Sequence, residues 1–349
     1  MSRIAVALSG GVDSSVAAAL LCEAGHEVIG LTLKVWDSSR CCSLDDAEDA
    51  RRVAWHLGIR FYVLNAAAPF EAAVVGPFVG EYGAGRTPNP CILCNRRLKF
   101  RWLLDRVRAL GCDALATGHY ARVEGDPGQR VLRKGIDPAK DQSYFLVPER
   151  PDILDHLVFP LGGRTKPEVR AEAERRGLPV ARKAESQDAC FVPEGGLAAF
   201  LAERLGPDRP GEIVDRAGRR LGWHAGLNAY TVGQRKGLGL AAPEPLYVVA
   251  REPQGNRLVV GPREAAMASA LTAEDPVWLA HGLPERFDCA AKIRSTGRAA
   301  PCNVAVAEGR VHVRFAEPQF GVAPGQMVVF YDGDRVLGGA WIGEARGDG

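Results

Sequence analysis

The stretch Ile4-Ala5-Val6-Ala7-Leu8-Ser9-Gly10-Gly11-Val12-Asp13-Ser14-Ser15 decides how this chain is read. Its five leading apolar residues predict a strand buried on both faces, as in a parallel sheet. Ser9-Gly10-Gly11 then makes a tight turn. Asp13-Ser14-Ser15 opens an Ala-rich helix, Val16 to Cys22, that ends near Gly25. Strand, glycine turn and helix N-terminus build an anion site. Glycine lets the backbone approach oxygen atoms, and the first N–H groups of the helix, with its dipole, favour phosphate. No Gly-Lys-Ser/Thr follows, so this is not a Walker A loop, and the string is not GxGxxG. The plainer alternative is an ordinary glycine-rich βα turn.

Working outward, the 349 residues are too many for one ordinary domain, and two or three are expected. A hydrophobic content of 46% supports real cores. No apolar run has the length of a membrane span, and Met1-Ser2-Arg3 running into a strand is not a signal peptide, so a cytoplasmic chain without membrane contact is expected. Net charge is only +2, which leaves any RNA contact to local patches. Nine cysteines, an odd count, argue against a disulfide scaffold and for thiol chemistry or metal at some of them. Nothing marks a large apolar interface, so a monomer is expected.

Further strands are predicted at Glu27 to Leu33, Arg60 to Asn65 and Ala114 to Tyr120, the last with a polar end. Helices are predicted from a Ser43/Asp46 capping box to His56, from Pro69 to Gly83 and from Arg96 to Leu110, the last strongly basic. This alternation predicts an α/β, doubly wound parallel sheet with ligands at the carboxyl ends of its strands. The loop Gly85 to Asn95 holds two prolines and a glycine, which predicts a stiff, non-helical path until a helix starts near Asn95. Arg122 to Lys134 reads as a hairpin, and short helices follow at Pro151 to Leu157 and Lys166 to Arg176. From about Pro207 the pattern changes to short strands and Gly/Pro turns, including Tyr230 to Gly233, and predicts two small β-rich domains, the last a β-barrel. The expected division is 1–205, 206–272 and 273–349.

Ser9 to Ser15 resembles the pyrophosphate loop of the ATP-pyrophosphatase superfamily, whose members split ATP into AMP and pyrophosphate and leave an adenylate on an oxygen atom. The resemblance implies an ATP site at Ala7, Leu8, Ser9, Gly10, Gly11, Val12, Asp13, Ser14 and Ser15, with Asp13 beside the phosphates or their Mg2+. It also places Leu33 against adenine and Gly118 at the same sheet edge. Five further motifs follow in order: Arg86-Thr87-Pro88-Asn89-Pro90-Cys91-Ile92-Leu93-Cys94-Asn95, Ala116-Thr117-Gly118-His119-Tyr120, Lys140-Asp141-Gln142-Ser143-Tyr144-Phe145-Leu146, Asp188-Ala189-Cys190-Phe191 and Gly233-Gln234-Arg235-Lys236-Gly237-Leu238-Gly239. Together they resemble the bacterial tRNA-specific 2-thiouridylase family over essentially the whole chain.

That resemblance implies an adenine nucleotide alpha hydrolase-like domain and sulfur insertion at C2 of the wobble uridine, U34. The C2 oxygen is a poor leaving group until AMP is placed on it, and a persulfide is a reactive, low-pKa sulfur carrier. By the resemblance Cys190 carries the persulfide, Cys94 is the partner thiol, and a transient Cys94–Cys190 disulfide forms as sulfur leaves. The implied tRNA contacts are Asn89, Pro90, Cys91, His119, Lys140, Asp141 and Gln142, with Arg294, Ser295 and Gln326 in the β domains. The implied partners are the anticodon stem-loop of tRNA and a sulfur-donor or relay protein or cysteine desulfurase.

Two departures stand out. Many members carry an acidic residue where this chain has Cys91, so Cys91 and Cys94 form a CxxC and a carboxylate role is lost there. Cys91, Cys94 and Cys190 are also the right number to hold three irons of a [4Fe–4S] cluster, an alternative to the persulfide route. A zinc site is less supported, since no second CxxC or HxxxH completes it. Ser295-Thr296-Gly297 replaces the aromatic and basic residues expected after Arg294. Cys22, Cys112, Cys289 and Cys302 read as small buried hydrophobes. The competing functions are a small-molecule ligase or amidating synthetase and an RNA-binding protein with a vestigial nucleotide loop.

Overall fold

The computed structural model describes residues 1–35, 44–184, 190–192 and 196–347. Ser43, the Cys41-Cys42 pair and Asp188-Ala189 lie outside the described residues. The chain divides into two compact units. One comprises Met1–Val75, Pro90–Pro193 and Asp334–Val336, and the other Gly76–Asn89, Glu194–Gly333 and Leu337–Gly349.

The first unit is built on β1 (Arg3–Ala7), β2 (Glu27–Lys34), β3 (Arg60–Asn65), β4 (Ala114–Ala116) and, after the hairpin β5 (Ala121–Glu124) and β6 (Val131–Lys134), the short β7 (Leu157–Val158). The five parallel strands lie in the order β3-β2-β1-β4-β7. α1 (Val12–Glu23) and α2 (Leu44–His56) provide the crossovers between β1, β2 and β3. Burial on both faces explains why β1 and β2 are apolar runs rather than alternating patterns: Ala5, Val6, Ile29 and Leu31 are all at most 1% exposed. The order reverses between β1 and β4, so their carboxyl ends flank the crevice in which an open α/β sheet takes its ligand.

Three expectations about helices need correction. α1 begins at Val12, four residues before Val16, because Gly11 supplies an extended residue at its entry. The loop after Gly85 becomes helical at Pro90, not Asn95; Pro90–Leu93 forms one turn. Proline's fixed φ and missing N–H suit the first turn of a helix, so Pro90 starts it rather than delaying it. The basic segment then continues as a π-helix, Cys94–Leu103, before an α-helical end, Leu104–Ala109.

The second unit holds two β structures. β8 (Gly211–Val214), β9 (Arg220–His224), β10 (Tyr247–Glu252) and β11 (Arg257–Gly261) form a sheet in the order β10-β11-β8-β9. It covers a core of Ile213, Leu227, Tyr230, Val248, Leu258 and Val260. The strand expected at Tyr230 to Gly233 is absent among the described residues, because Gly233 turns to φ +86° and breaks the extended chain.

The remaining strands are β12 (Met267–Trp278), β13 (Arg286–Lys292), β14 (Ala300–Ala307), β15 (Arg310–Phe320), β16 (Met327–Asp332) and β17 (Arg335–Arg346). They run antiparallel in the order β12-β15-β14-β13-β16-β17, and β12 pairs with β17 to close the barrel. β12 runs through residue 272 without a break. The alternation in β15 is complete: Val311, Val313 and Phe315 are buried while Arg310, His312 and Arg314 are exposed. Among the described residues no helix is long and apolar enough to cross a membrane.

Candidate active site

The turn after β1 is held by its own hydroxyls. Ser9 N–H donates to Ser14 Oγ at 3.1 Å, and Ser15 Oγ donates to Gly11 O at 2.7 Å. Thr32 on β2 donates to Leu8 O at 2.6 Å and fixes the end of β1. Gly10 takes φ +70°, and a Cβ there would stand 2.2 Å from the carbonyl oxygen of Asp46 in the first turn of α2. Only glycine fits both demands. Gly118, just past β4, is equally constrained: a Cβ would lie 2.6 Å from the backbone nitrogen of Ser14. The segment after β4 is thus packed directly on the loop, and the two sheet ends build one edge.

Asp13 is the electrostatic centre of that edge. Lys166 Nζ contacts its two carboxylate oxygens at 2.7 and 2.9 Å, and Tyr120 Oη donates to Oδ1 at 2.8 Å. The Lys166 residue is 7% exposed. It begins α3 (Lys166–Arg175), whose Glu168 accepts the Thr165 N–H at 2.7 Å. Asp137 in turn accepts the Lys166 N–H at 2.9 Å. A cation at a helix N-terminus opposes the helix dipole. Asp13 offsets that cost, and the pair is neutral as it stands at the edge of the anion loop. Lys166 and the hydroxyl of Tyr120 are the residues that reading the sequence left without a role. The signal was a lysine at the first position of a well-capped helix, where an acid is the usual choice.

The neighbouring residues are braced by side chains. His119 Nδ1 lies 2.6 Å from Thr117 Oγ1, and its ring meets Phe159 edge-on at 5.9 Å. Burial, with Lys99 nearby, holds His119 well below the ordinary imidazole pKa, so it is neutral. Gln142 Oε1 accepts the Tyr120 N–H at 2.9 Å, while the Gln142 N–H donates to Tyr120 O at 3.0 Å. Asp141 accepts the N–H groups of Gly135 and Ser143, each at 3.1 Å. Lys140 is partly buried. Leu33, at the end of β2, is 9% exposed.

Cys91 is exposed, and Cys94 and Cys190 are half-buried. Cys94 opens the π-helix, a rare form often found at functional positions. Asn95 beside it is 2% exposed and donates to Phe145 O at 3.1 Å. The cations of this helix are largely committed within the first unit. Arg97 and Arg101 reach Glu149 at 3.7 and 3.3 Å, and Arg106 stacks 3.5 Å over Trp102. Among the described residues no group of three or more His, Cys, Asp or Glu is placed to hold a metal ion.

In the second unit, three of the sequence-predicted RNA contacts have structural surroundings. Gln326 Nε2 donates to Thr87 O at 2.6 Å, and the Thr87 N–H donates to Pro324 O at 2.8 Å, so the arm that leads to Asn89 is clasped onto the barrel. Arg294 donates to Val232 O at 3.0 Å and to Gly321 O. Ser295 beside it is half-buried. These bonds brace Arg294 and Gln326 on backbone carbonyls.

Three family descriptions match consecutive parts of the chain: a tRNA methyl transferase HUP domain over residues 2–194, a tRNA methyl transferase PRC-barrel domain over 198–262 and an aminomethyltransferase beta-barrel domain over 268–342. A protein of Geobacter metallireducens named tRNA-specific 2-thiouridylase MnmA is 53% identical over 361 residues, which covers 99% of this chain and 98% of that one. Proteins of the same name from Magnetococcus marinus and a Roseiflexus species are 51% and 48% identical over 97% and 98% of this chain, and over 98% and 99% of their own lengths. With that identity sustained end to end over a parallel sheet carrying an anion loop and a closed β-barrel, the chain belongs to the tRNA-specific 2-thiouridylase family.

Proposed function

We propose that this chain is an ATP-dependent tRNA sulfurtransferase that places sulfur on C2 of the wobble uridine, U34. The observation that carries the reading is the glycine loop after β1, joined to Gly118 and to the Asp13–Lys166 pair in one edge. That edge suits the one demanding electrostatic task of adenylation, which is to hold the charge of a departing pyrophosphate. ATP enters as its magnesium complex. The uridine C2 oxygen attacks the α-phosphorus, the bond from that phosphorus to the bridging oxygen breaks, and pyrophosphate leaves. Lys166 is placed to pass from Asp13 to the phosphate oxygens as they arrive.

Sulfur transfer follows. The terminal sulfur of a Cys190 persulfide attacks C2 and AMP leaves. The Cys94 thiolate then attacks the Cys190 sulfur, so the S–S bond to the base breaks, 2-thiouridine is released and a Cys94–Cys190 disulfide remains for a reductant to open. Asn89, Pro90, Cys91, His119, Lys140, Asp141 and Gln142 are the proposed tRNA contacts near this chemistry, and Leu33 the proposed adenine contact. A sulfur-relay protein or desulfurase charges Cys190. The proposed functional division is 1–205, 206–272 and 273–349, with its last boundary falling inside β12.

The test is anaerobic, single-turnover tRNA thiolation with ATP, magnesium and a cysteine desulfurase with free cysteine as the persulfide donor, comparing the wild type with Cys94→Ser, Cys190→Ser and Cys91→Asp. Loss of thiolation by a thousandfold or so in the first two, with Cys91→Asp active, is the expected result. A brown wild type with all three variants dead would replace this route with a cluster mechanism. Wild-type pyrophosphate release that ignores tRNA would replace it with a small-molecule ligase.

A further inference from the structure

The outer wall of the barrel carries a groove lined by none of the residues assigned above to ATP, sulfur or tRNA. It encloses about 400 Å³ and is lined by β12, β13, β14, β15 and the end of β17. Strand register explains its shape. Ala270 on β12 pairs with Arg314 on β15 to one side and with Arg346 on β17 to the other. Two residues along, Ala305 on β14 pairs with Arg286 on β13 and with His312 on β15. The first row thus sets an alanine between two arginines, and the second sets one between an arginine and a histidine. Neighbouring strands lie about 4.8 Å apart, so each flanking pair stands about 10 Å apart across an alanine floor.

The charge in this groove is one-sided. Arg286, His312, Arg314 and Arg346 are all exposed. Among the described residues Arg286, His312 and Arg314 form no ion pair, while Arg346 meets Glu344 of its own strand at 3.6 Å. No acidic side chain lines the groove. The nearby Asp288 is turned to Asn303, which donates to it at 3.0 Å. An ordinary solvated barrel face alternates signs and fills its troughs with long side chains. Here the floor is kept low and the walls carry forked guanidinium groups, which bind phosphate oxygens in pairs.

We infer that this groove seats a run of backbone phosphates of the RNA substrate, as a sequence-independent contact separate from base recognition. The inference rests on the tRNA reading above for the identity of the polyanion. A ridge of successive phosphates, each with two free oxygens, fits a trough with cations on both walls. It gives the barrel a phosphate contact distinct from Arg294 and Gln326, which are braced on backbone carbonyls.

The test measures binding of unmodified tRNA by fluorescence anisotropy across a sodium chloride series. It compares the wild type, Arg314→Ala, Arg346→Ala and the double variant Arg314→Glu/Arg346→Glu, with ATP affinity and the melting curve of each protein as controls. Both side chains are exposed, so folding should survive. Each alanine variant should lower the slope of log K against log salt by about one, and the double variant should weaken binding about tenfold or more at moderate salt. Affinity for ATP should hold. If the wild type binds tRNA and the double variant binds it with the same affinity and slope, the groove is not an RNA site and the inference fails. It fails equally if the double variant loses only the capture of an acidic protein partner. If the wild type itself binds no tRNA, the fault lies with the tRNA reading on which the groove's ligand depends.

Discussion

Two regions, the Cys91–Cys94 segment and the barrel, treat their cysteines in opposite ways. In the first, Cys91 is exposed and Cys94 half-buried at the start of a π-helix that carries Arg96, Arg97, Lys99 and Arg101. In the barrel, Cys289 and Cys302 sit opposite each other on β13 and β14 with their sulfurs 3.7 Å apart. Both touch an apolar core that includes Val304, Val313 and Phe330. The Cys302 sulfur beside it and then burial push the Cys289 thiol far up from its ordinary pKa, and burial also raises Cys22 and Cys112. Sulfur chemistry needs thiolate. The difference teaches that cysteine identity carries little information, while the medium around it carries much.

The largest expected effect tests whether the edge around Asp13 supplies charge. Lys166→Ala removes a cation that is otherwise stored beside the anion loop. tRNA-dependent pyrophosphate release should fall about 100- to 1000-fold, the scale of a lost electrostatic contact to a leaving group, with Lys166→Arg recovering part of it. An unchanged release rate in Lys166→Ala would make the pair a structural brace, no different in kind from Arg122 and Asp334.

A smaller effect sharpens the cysteine comparison directly. Under iodoacetamide at pH 8, peptide mapping should show Cys91 labelled at least about tenfold faster than Cys289. Cys302→Ser should cost about 1–3 kcal/mol of stability by placing a hydroxyl in an apolar wall, read from denaturant midpoints, while thiolation continues. Equal labelling rates would break the contrast.

The smallest effect concerns His119. Its folded-state pKa is depressed by burial and Lys99, so the unfolded chain takes up a proton that the folded chain refuses. Its contribution is fully present above about pH 6.5 and is lost as pH falls below that value, at a slope approaching about 1.4 kcal/mol per pH unit. Denaturation curves at pH 7.5 and 5.5 should show this loss in the wild type and a reduced loss in His119→Gln. An identical pH dependence in both would show that His119 charges freely in the fold.

Much of this was legible in the residues. The apolar runs at Ile4, Val28 and Leu115 could be nothing but buried parallel strands, because burial on both faces removes the polar alternation. Ser9-Gly10-Gly11 was legible because a positive φ beside a close backbone approach leaves glycine as the one residue that fits. The barrel strands announced themselves by alternation, most clearly in β15. Less legible were the places where one residue type serves two structures. Pro90 reads as a breaker and starts a helix, and Tyr230 to Gly233 reads as a strand until Gly233 bends it.

What the sequence determined by itself, then, was local: the strand-turn-helix around the anion loop, the period of each element and the family to which its ordered motifs point. Tertiary structure decided which distant groups meet. Lys166 reaches Asp13 across 153 positions, Gln326 clasps Thr87 across 239, and Arg314 and Arg346 face each other only through the register of β12. Local propensity is written in neighbouring side chains. Pairing across a sheet or against a helix terminus depends on strand order, register and crossover, and no short window of sequence contains them.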